Sequence, residues 1–288
     1  GRDSTYRPVR RARFHSRFQR PRHEGRPIVT SIPPTDPDLL AAARRFAAEA
    51  GALTLEWFRG GDLDLEHKGD GTPVTAADKA AESRLRMRIG EFAPDDAILG
   101  EEEGATEGTS GRRWVVDPID GTKAFTRGVP LYSTLVAVED EHGPAVGVIE
   151  LPALGQQVFA GRGLGCFVAD ANGERPARVS ATGSLDAAML TTSGFGSWST
   201  DQVTAAHRSG ATLRTWGDGY GYALAATGSV DAMIDPIVAE WDIAPMMVII
   251  TEAGGQFTSL NGHEGAIHGS GVASNGVLHD RLIDLLRT

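Results

Sequence analysis

An apolar run that ends in two acids three residues apart, Trp114-Val-Val-Asp117-Pro-Ile-Asp120-Gly-Thr122-Lys123, restricts this chain more than any other feature. Short apolar runs bounded by turn residues are buried strands, and Pro118 cannot donate to a strand ladder. A strand end followed by a tight turn can aim both carboxylates into one cleft. A helix starting at Thr122 would turn its free N–H groups into the same space, an arrangement that cradles phosphate. Two carboxylates beside a phosphate repel one another. A divalent cation, Mg2+ for an all-oxygen ligand set, makes that arrangement favourable. Taken alone, Asp-Pro-Ile-Asp-Gly also fits an ordinary acidic turn.

Other acids occupy comparable places. Gly100-Glu101-Glu102 follows the apolar run Ala97–Leu99, Asp78 falls three residues after Thr75, and Asp242 follows Trp241 ahead of an apolar stretch. Each has a plain structural role open to it: Glu101 as a solvated turn acid, Asp78 in a capping box, Asp242 as a helix-start acid favoured by the dipole. Jointly they sit at strand ends and helix starts, where metal ligands are commonly placed.

The rest of the chain supplies a body large enough to hold such a site. Its 288 residues are 41% hydrophobic, which excludes disorder by composition and predicts one or two domains. One cysteine, Cys166, excludes an intrachain disulfide and a cysteine zinc site, and reads as a buried structural thiol. No apolar run approaches the ~18–20 residues that span a bilayer, so no membrane role and a soluble, cytoplasmic protein are expected. Residues 1–27 hold nine arginines against Asp3 and Glu24, a net +7, which leaves −17 for the remainder. This arm resembles a transit peptide or a nucleic-acid-binding tail, and equally a flexible extension or sequence upstream of the true start. A body at −17 repels nucleic acid, so no nucleic-acid partner is expected for it.

Residues 1–36 therefore read as a basic extension, closed by the Pro-rich Ser31–Asp36. Leu39, Leu40, Ala43, Phe46, Ala47, Ala50, Leu53 and Phe58 recur at helical spacing and predict a helix from Asp36-Pro37 to about Arg59. A short strand at Asp64–Lys68, a polar loop, and a second helix from Thr75 to about Phe92 follow. From Ala97 to Ala160, short apolar runs predict antiparallel strands. Beyond Ala181, strands at Met189, Leu213 and Ala232 alternate with helices at Gln202–Arg208, Gly221–Thr227, Ile243–Ala253 and Val277–Leu286. Residues 37–180 thus read as an α+β half and 181–288 as an α/β half. His207, His263, His268 and His279 lack the pairing of a helical zinc site. Trp198 and Trp216 read as core or pocket wall, and Glu252-Ala-Gly-Gly255 as a helix end.

Gly100-Glu101-Glu102, Trp114-Val-Val-Asp117-Pro-Ile-Asp120-Gly-Thr122 and Trp241-Asp242-Ile-Ala…Glu252-Ala-Gly-Gly255 resemble, in order, the signatures of the inositol monophosphatase superfamily. The resemblance covers residues 37–288. It implies a layered αβαβα sandwich, a homodimer, and Mg2+-dependent hydrolysis of a small-molecule phosphate monoester without a covalent intermediate. It implies two to three Mg2+ per site. Glu101, Asp117 and the Ile119 carbonyl would hold the first, Asp117, Asp120 and Asp242 the second, and a weaker third would sit by Glu101. Asp78 and Thr122 would orient the attacking water, and the Gly121 and Thr122 N–H groups would bind phosphate. Lys68 resembles the family lysine before Val-Thr-x-x-Asp, one residue out of the family spacing.

The substrate is a separate question. Asp218, in Gly217-Asp-Gly-Tyr-Gly-Tyr222, and Asp235 match no metal ligand of the family. Two further acids beside an anionic ester are costly unless the substrate carries positive charge or hydroxyl donors. An amino alcohol with an imidazole supplies both. The Asp218 stretch and Asp120–Pro130 are similar to the histidinol-phosphatase branch, which points to hydrolysis of L-histidinol phosphate. An inositol-1-monophosphatase-like enzyme and a 3′-phosphoadenosine 5′-phosphate phosphatase are the alternatives.

Overall fold

Helix α1 (Pro37–Trp57) begins where the Asp36 carboxylate accepts the Asp38 N–H at 2.9 Å and Pro37 fills the first helical position. The computed structural model describes residues 32–60, 66–67, 73–74 and 76–287. The arginine-rich arm, Lys68, Thr75 and loop residues 69–72 lie outside the described residues. Strands β1 (Glu66–His67) and β2 (Pro73–Val74) pair antiparallel ahead of α2 (Ala76–Phe92).

The chain then runs through β3 (Ala97–Gly100), β4 (Gly104–Thr106), β5 (Arg113–Asp120), α3 (Thr122–Thr126), β6 (Ser133–Asp140), β7 (Gly143–Leu151), β8 (Gln156–Gly161), β9 (Gly165–Asp170) and β10 (Gly173–Pro176). These strands form an eight-stranded sheet in the order β10-β9-β8-β7-β6-β5-β3-β4. The second part comprises β11 (Met189–Thr191), α4 (Thr200–Arg208), β12 (Thr212–Arg214), α5 (Asp218–Ala226), β13 (Ala232–Asp235), α6 (Glu240–Glu252), β14 (Gln256–Thr258), β15 (Gly271–Ser274) and α7 (His279–Leu286). Its five-stranded sheet is ordered β12-β11-β13-β15-β14 and mixes parallel and antiparallel pairs.

Alternation along the strands builds the layers. Trp114, Val116, Val136 and Val138 face α1 and α2, whereas Val115, Leu135 and Ala137 face α5 and α6. Met233 and Ala273 close that middle layer from the second sheet. Leu190, Ile234 and Val272, on the opposite face of that sheet, pack on α4 and α7. The result is an αβαβα sandwich with α5 and α6 between two sheets. No helix among the described residues is long and apolar enough to cross a membrane.

Several sequence expectations need correction. The strands after Ala97 are not all antiparallel, because β3 and β5 pair parallel with Gly100 opposite Val116. β4 folds back on the outer edge of β3, so the chain re-enters on the other side running the same way. Pro118 interrupts the ladder, as a residue without an N–H does, but the strand continues past it. The β5–β6 pairing slips between Asp117 and Asp120 and resumes at Asp120–Ser133. α5 starts three residues earlier than periodicity indicates, at a glycine-rich turn with no apolar stripe to mark it.

Candidate active site

Parallel pairing of β3 and β5 brings their C-terminal ends together, with the Glu101 N–H donating to the Val116 carbonyl at 3.3 Å. Val115 faces the layer between the sheets, and the pleat turns Asp117 the same way, where it is 1% exposed. The turn beyond Asp117 is held by its own polar groups. The Ile119 N–H donates to Asp117 Oδ1 (3.1 Å), Thr134 Oγ1 to the Pro118 carbonyl (2.8 Å), and Thr122 Oγ1 to the Ile119 carbonyl (3.1 Å). Gly121, at φ 82°, takes the left-handed conformation that lets α3 start at Thr122.

The bulge swings Asp120 beside Asp117. Asp120 Oδ2 accepts from Ser133 Oγ at 2.9 Å and from the Gly219 N–H at the start of α5. Asp242 arrives on the first turn of α6, its Oδ2 accepting the Ala239 N–H at 2.8 Å. One carboxylate oxygen from each of Asp117, Asp120 and Asp242 lies within 4.8 Å of the others. Two chain segments distant in sequence, the end of β5 and the start of α6, thus converge on one point.

Such a cluster is poorly stable as three bare anions. Burial, then the charges of Glu101, Asp120 and Asp242, hold Asp117 well above the usual carboxylate range. Burial, then Asp218 and Asp242, do the same to Asp120. Burial, with the charges of Glu101, Asp218 and Asp235 and against the Ala239 N–H, pushes Asp242 up to about 7. A divalent cation reverses that preference, and an all-oxygen set on buried carboxylates fits Mg2+. The donor chemistry therefore fits the expected metal.

Helix α2 approaches the same strand ends. Asp78 is buried in its first turn, and Glu82, one turn later and 0% exposed, is absent from the sequence-based site. Glu82 accepts the N–H groups of Glu102 (2.7 Å) and Glu103 (3.0 Å) and the Arg86 Nε–H (2.9 Å). It fastens the turn that carries Glu101. A Cβ on Gly100 would come within 2.1 Å of Glu82 Oε1, so any larger residue there would displace the Glu82 carboxylate. Its sequence signal is an acid four residues after Asp78, on the same helix face.

A cleft of about 100 Å3 opens beside the cluster, lined by Asp120, Ser193, Asp218, Tyr222, Asp235, Ile237, Val238 and Asp242. Both extra acids expected to meet substrate line it. Burial, then the charge of Asp235, push Asp218 up to about 6. Asp235 is 3% exposed, and burial holds it above the usual range despite donors from Ser193, Thr192 and Tyr222. Ser193 was not singled out from sequence. It lies in a loop 42 residues before Asp235, and no local pattern marks it.

The residues read as structural stay clear of the cleft lining. Cys166 is buried, its thiol pushed up to about 12 by burial. His279 is buried between Thr258 and Ser274, 2.8 Å from each hydroxyl. Glu252 at the end of α6 accepts the N–H groups of Gly163 (2.7 Å) and Gly165 (2.9 Å), tying that helix to the β8–β9 turn.

Residues 36–288 match the profile of the inositol monophosphatase family. The chain is 41% identical over 262 residues to a histidinol-phosphatase of Mycobacterium tuberculosis, spanning 86% of this chain and 98% of that protein. It is 40% identical over 258 residues to a histidinol-phosphatase of Streptomyces coelicolor, spanning 86% of this chain and 97% of the relative. Among solved structures, an IMPase of Thermotoga maritima superposes with a TM-score of 0.79 at 28% identity, covering 87% of this chain and 97% of that one. The layered fold, the convergent acids and these likenesses agree: the chain belongs to the inositol monophosphatase family.

Proposed function

We propose that this chain is a Mg2+-dependent histidinol-phosphatase, hydrolysing L-histidinol phosphate to L-histidinol and phosphate. The observation that carries the reading is the junction of two acid groups in one cleft. Asp120 and Asp242 belong to the convergent cluster, and Asp218 and Asp235 line the same space with no phosphate-binding geometry of their own. The names of the relatives at 40–41% identity support the same substrate.

In this reading Glu101, Asp117, Asp120, Asp242 and the Ile119 carbonyl hold two to three Mg2+. When bound there, Mg2+ supplies a nucleophile at neutral pH and neutralises phosphoryl charge. The chain's own groups do the rest. Gly121 and Thr122 offer N–H groups to the phosphoryl oxygens. Thr122 Oγ1, turned toward the Ile119 carbonyl, and Asp78 orient the attacking water. Asp218 and Asp235 give the cleft the negative field that selects a cationic leaving alcohol. An inositol phosphate offers hydroxyls and no cation, so it gains less from that field. A homodimer in the cytoplasm, acting on a small phosphate ester, completes the proposal.

The test is phosphate release from L-histidinol phosphate, inositol 1-phosphate, fructose 1,6-bisphosphate and 3′-phosphoadenosine 5′-phosphate with Mg2+ present. The expected result is a kcat/KM for L-histidinol phosphate at least ~100-fold above the others, about 2.7 kcal/mol of discrimination. A higher value for any other ester removes the substrate assignment and leaves the metal reading standing.

A further inference from the structure

We propose that Ser193 is a positioning residue for substrate selection: it transmits the hold of Asp235 to Asp218, and Asp218 alone meets the cationic leaving group. The inference rests on the histidinol-phosphatase reading and deepens it.

A carboxylate has about four lone-pair sites, and those of Asp235 are taken. Oδ1 accepts the Ser193 N–H (2.9 Å) and Thr192 Oγ1 (3.2 Å). Oδ2 accepts Ser193 Oγ (2.9 Å) and the Tyr222 hydroxyl (3.4 Å). To bind a substrate ammonium directly, Asp235 would have to release donors already in place, and at 3% exposure it has little room to do so.

The Ser193 hydroxyl also touches Asp218, accepting its N–H at 2.9 Å. The Ser193 hydroxyl thus donates to Asp235 Oδ2 while accepting the Asp218 N–H, which can only donate, and the same hydroxyl is also a side-chain partner of the Asp218 carboxyl. Asp218 needs that hold. Its φ of 53° is a left-handed conformation that disfavours a residue with a Cβ. It persists where flanking contacts impose it. Ser193 grips the Asp218 N–H from one side, and Asp120 accepts the Gly219 N–H on the other. The loop carrying Ser193 is pressed against this turn, since a Cβ on Gly217 would come within 2.1 Å of the Ser193 Cα. The start of α5 thus joins the acid that meets the leaving group to an acid of the convergent cluster.

Ser193→Ala removes the hydroxyl link and keeps the N–H to Asp235. Losing a hydrogen bond to a charged group predicts a rise in KM for L-histidinol phosphate of about 10- to 100-fold. The ratio of kcat/KM for L-histidinol phosphate over 4-nitrophenyl phosphate, whose leaving group carries no amine, is expected to fall at least 10-fold. Because Ser193 acts through the same acid, Ser193→Ala in an Asp235→Asn background is expected to lower the ratio by less than ~3-fold more. Binding of L-histidinol to the Mg2+-loaded enzyme, read by calorimetry, weakens in parallel. If Ser193→Ala melts below the assay temperature, Ser193→Gly is read in the same way. An unchanged ratio in a wild type that does prefer L-histidinol phosphate overturns the Ser193 assignment and leaves the functional reading intact. Losses that multiply independently in the double variant overturn it too. A wild type with no preference overturns the functional reading and this inference together.

Discussion

The acids at the ends of β3 and β5 face one another, whereas the acids flanking them, Glu82 and Asp235, face donors. Asp117, Asp120 and Asp242 place oxygens within 4.8 Å of each other, and burial, then the mutual charge, drives them away from the ionised state. Glu82 is equally buried but is surrounded by two backbone N–H groups and a guanidinium. Asp235 accepts from Ser193, Thr192 and Tyr222. The difference teaches how to read a buried carboxylate. One that faces other carboxylates needs a cation, and one surrounded by donors fixes the position of its neighbours.

The largest test of that distinction is Asp120→Asn. It is expected to lower kcat by at least ~10^3-fold, because it removes one charge from the proposed ligand set. Its melting temperature in EDTA should equal or exceed that of the wild type, since a repelling charge is gone. Added Mg2+ should raise the wild-type melting temperature and leave the variant nearly unmoved. Retained turnover would break the comparison at its centre.

Glu82→Gln probes the other class. An amide placed against two N–H donors leaves one of them facing NH2, at a cost of roughly 2–3 kcal/mol of stability, read by denaturant unfolding. Through the Glu101 turn it should also weaken Mg2+ binding by ~10- to 100-fold in calorimetry. A lower stability with unchanged Mg2+ affinity would restrict Glu82 to the fold. Asp235→Asn should lower kcat/KM for L-histidinol phosphate by ~10-fold or more beyond its effect on inositol 1-phosphate. Equal losses on both esters would refute a role in selection.

The fold was largely legible because its elements carry local signals: the helical stripe of α1, the apolar runs of β5–β8, the acids at strand ends. The convergence of Asp117, Asp120 and Asp242 was legible through the family resemblance. What stayed hidden rests on pairing between distant segments. No periodicity shows that β3 and β5 run parallel, yet that pairing places Glu101 beside Asp117. Ser193 is a small polar residue in a loop, and its partners lie 25 and 42 residues away. Asp218 starts α5 in a left-handed conformation, which helix propensity does not anticipate.

An intermediate case sharpens the contrast with the smallest expected effect. Glu150 is held by Gln157 at 2.8 Å, and burial, opposed by Gln157 and by Arg44, pushes it up to about 7. The unfolded chain releases this proton near the ordinary value of 4.5, so the penalty on the folded state grows as pH rises from there and is complete above about 7. Glu150→Gln should therefore stabilise the protein by ~1–3 kcal/mol at pH 8 and by almost nothing near pH 4.5. Denaturant unfolding at both values checks it, and a pH-independent change would contradict the assignment.

The most direct measurement is turnover of L-histidinol phosphate by the same preparation in EDTA and after Mg2+ is restored. No phosphate release is expected in EDTA, and full recovery with Mg2+, with L-histidinol as the other product. Turnover that persists in EDTA would contradict the metal reading, because the facing carboxylates would then have a purpose other than holding a cation.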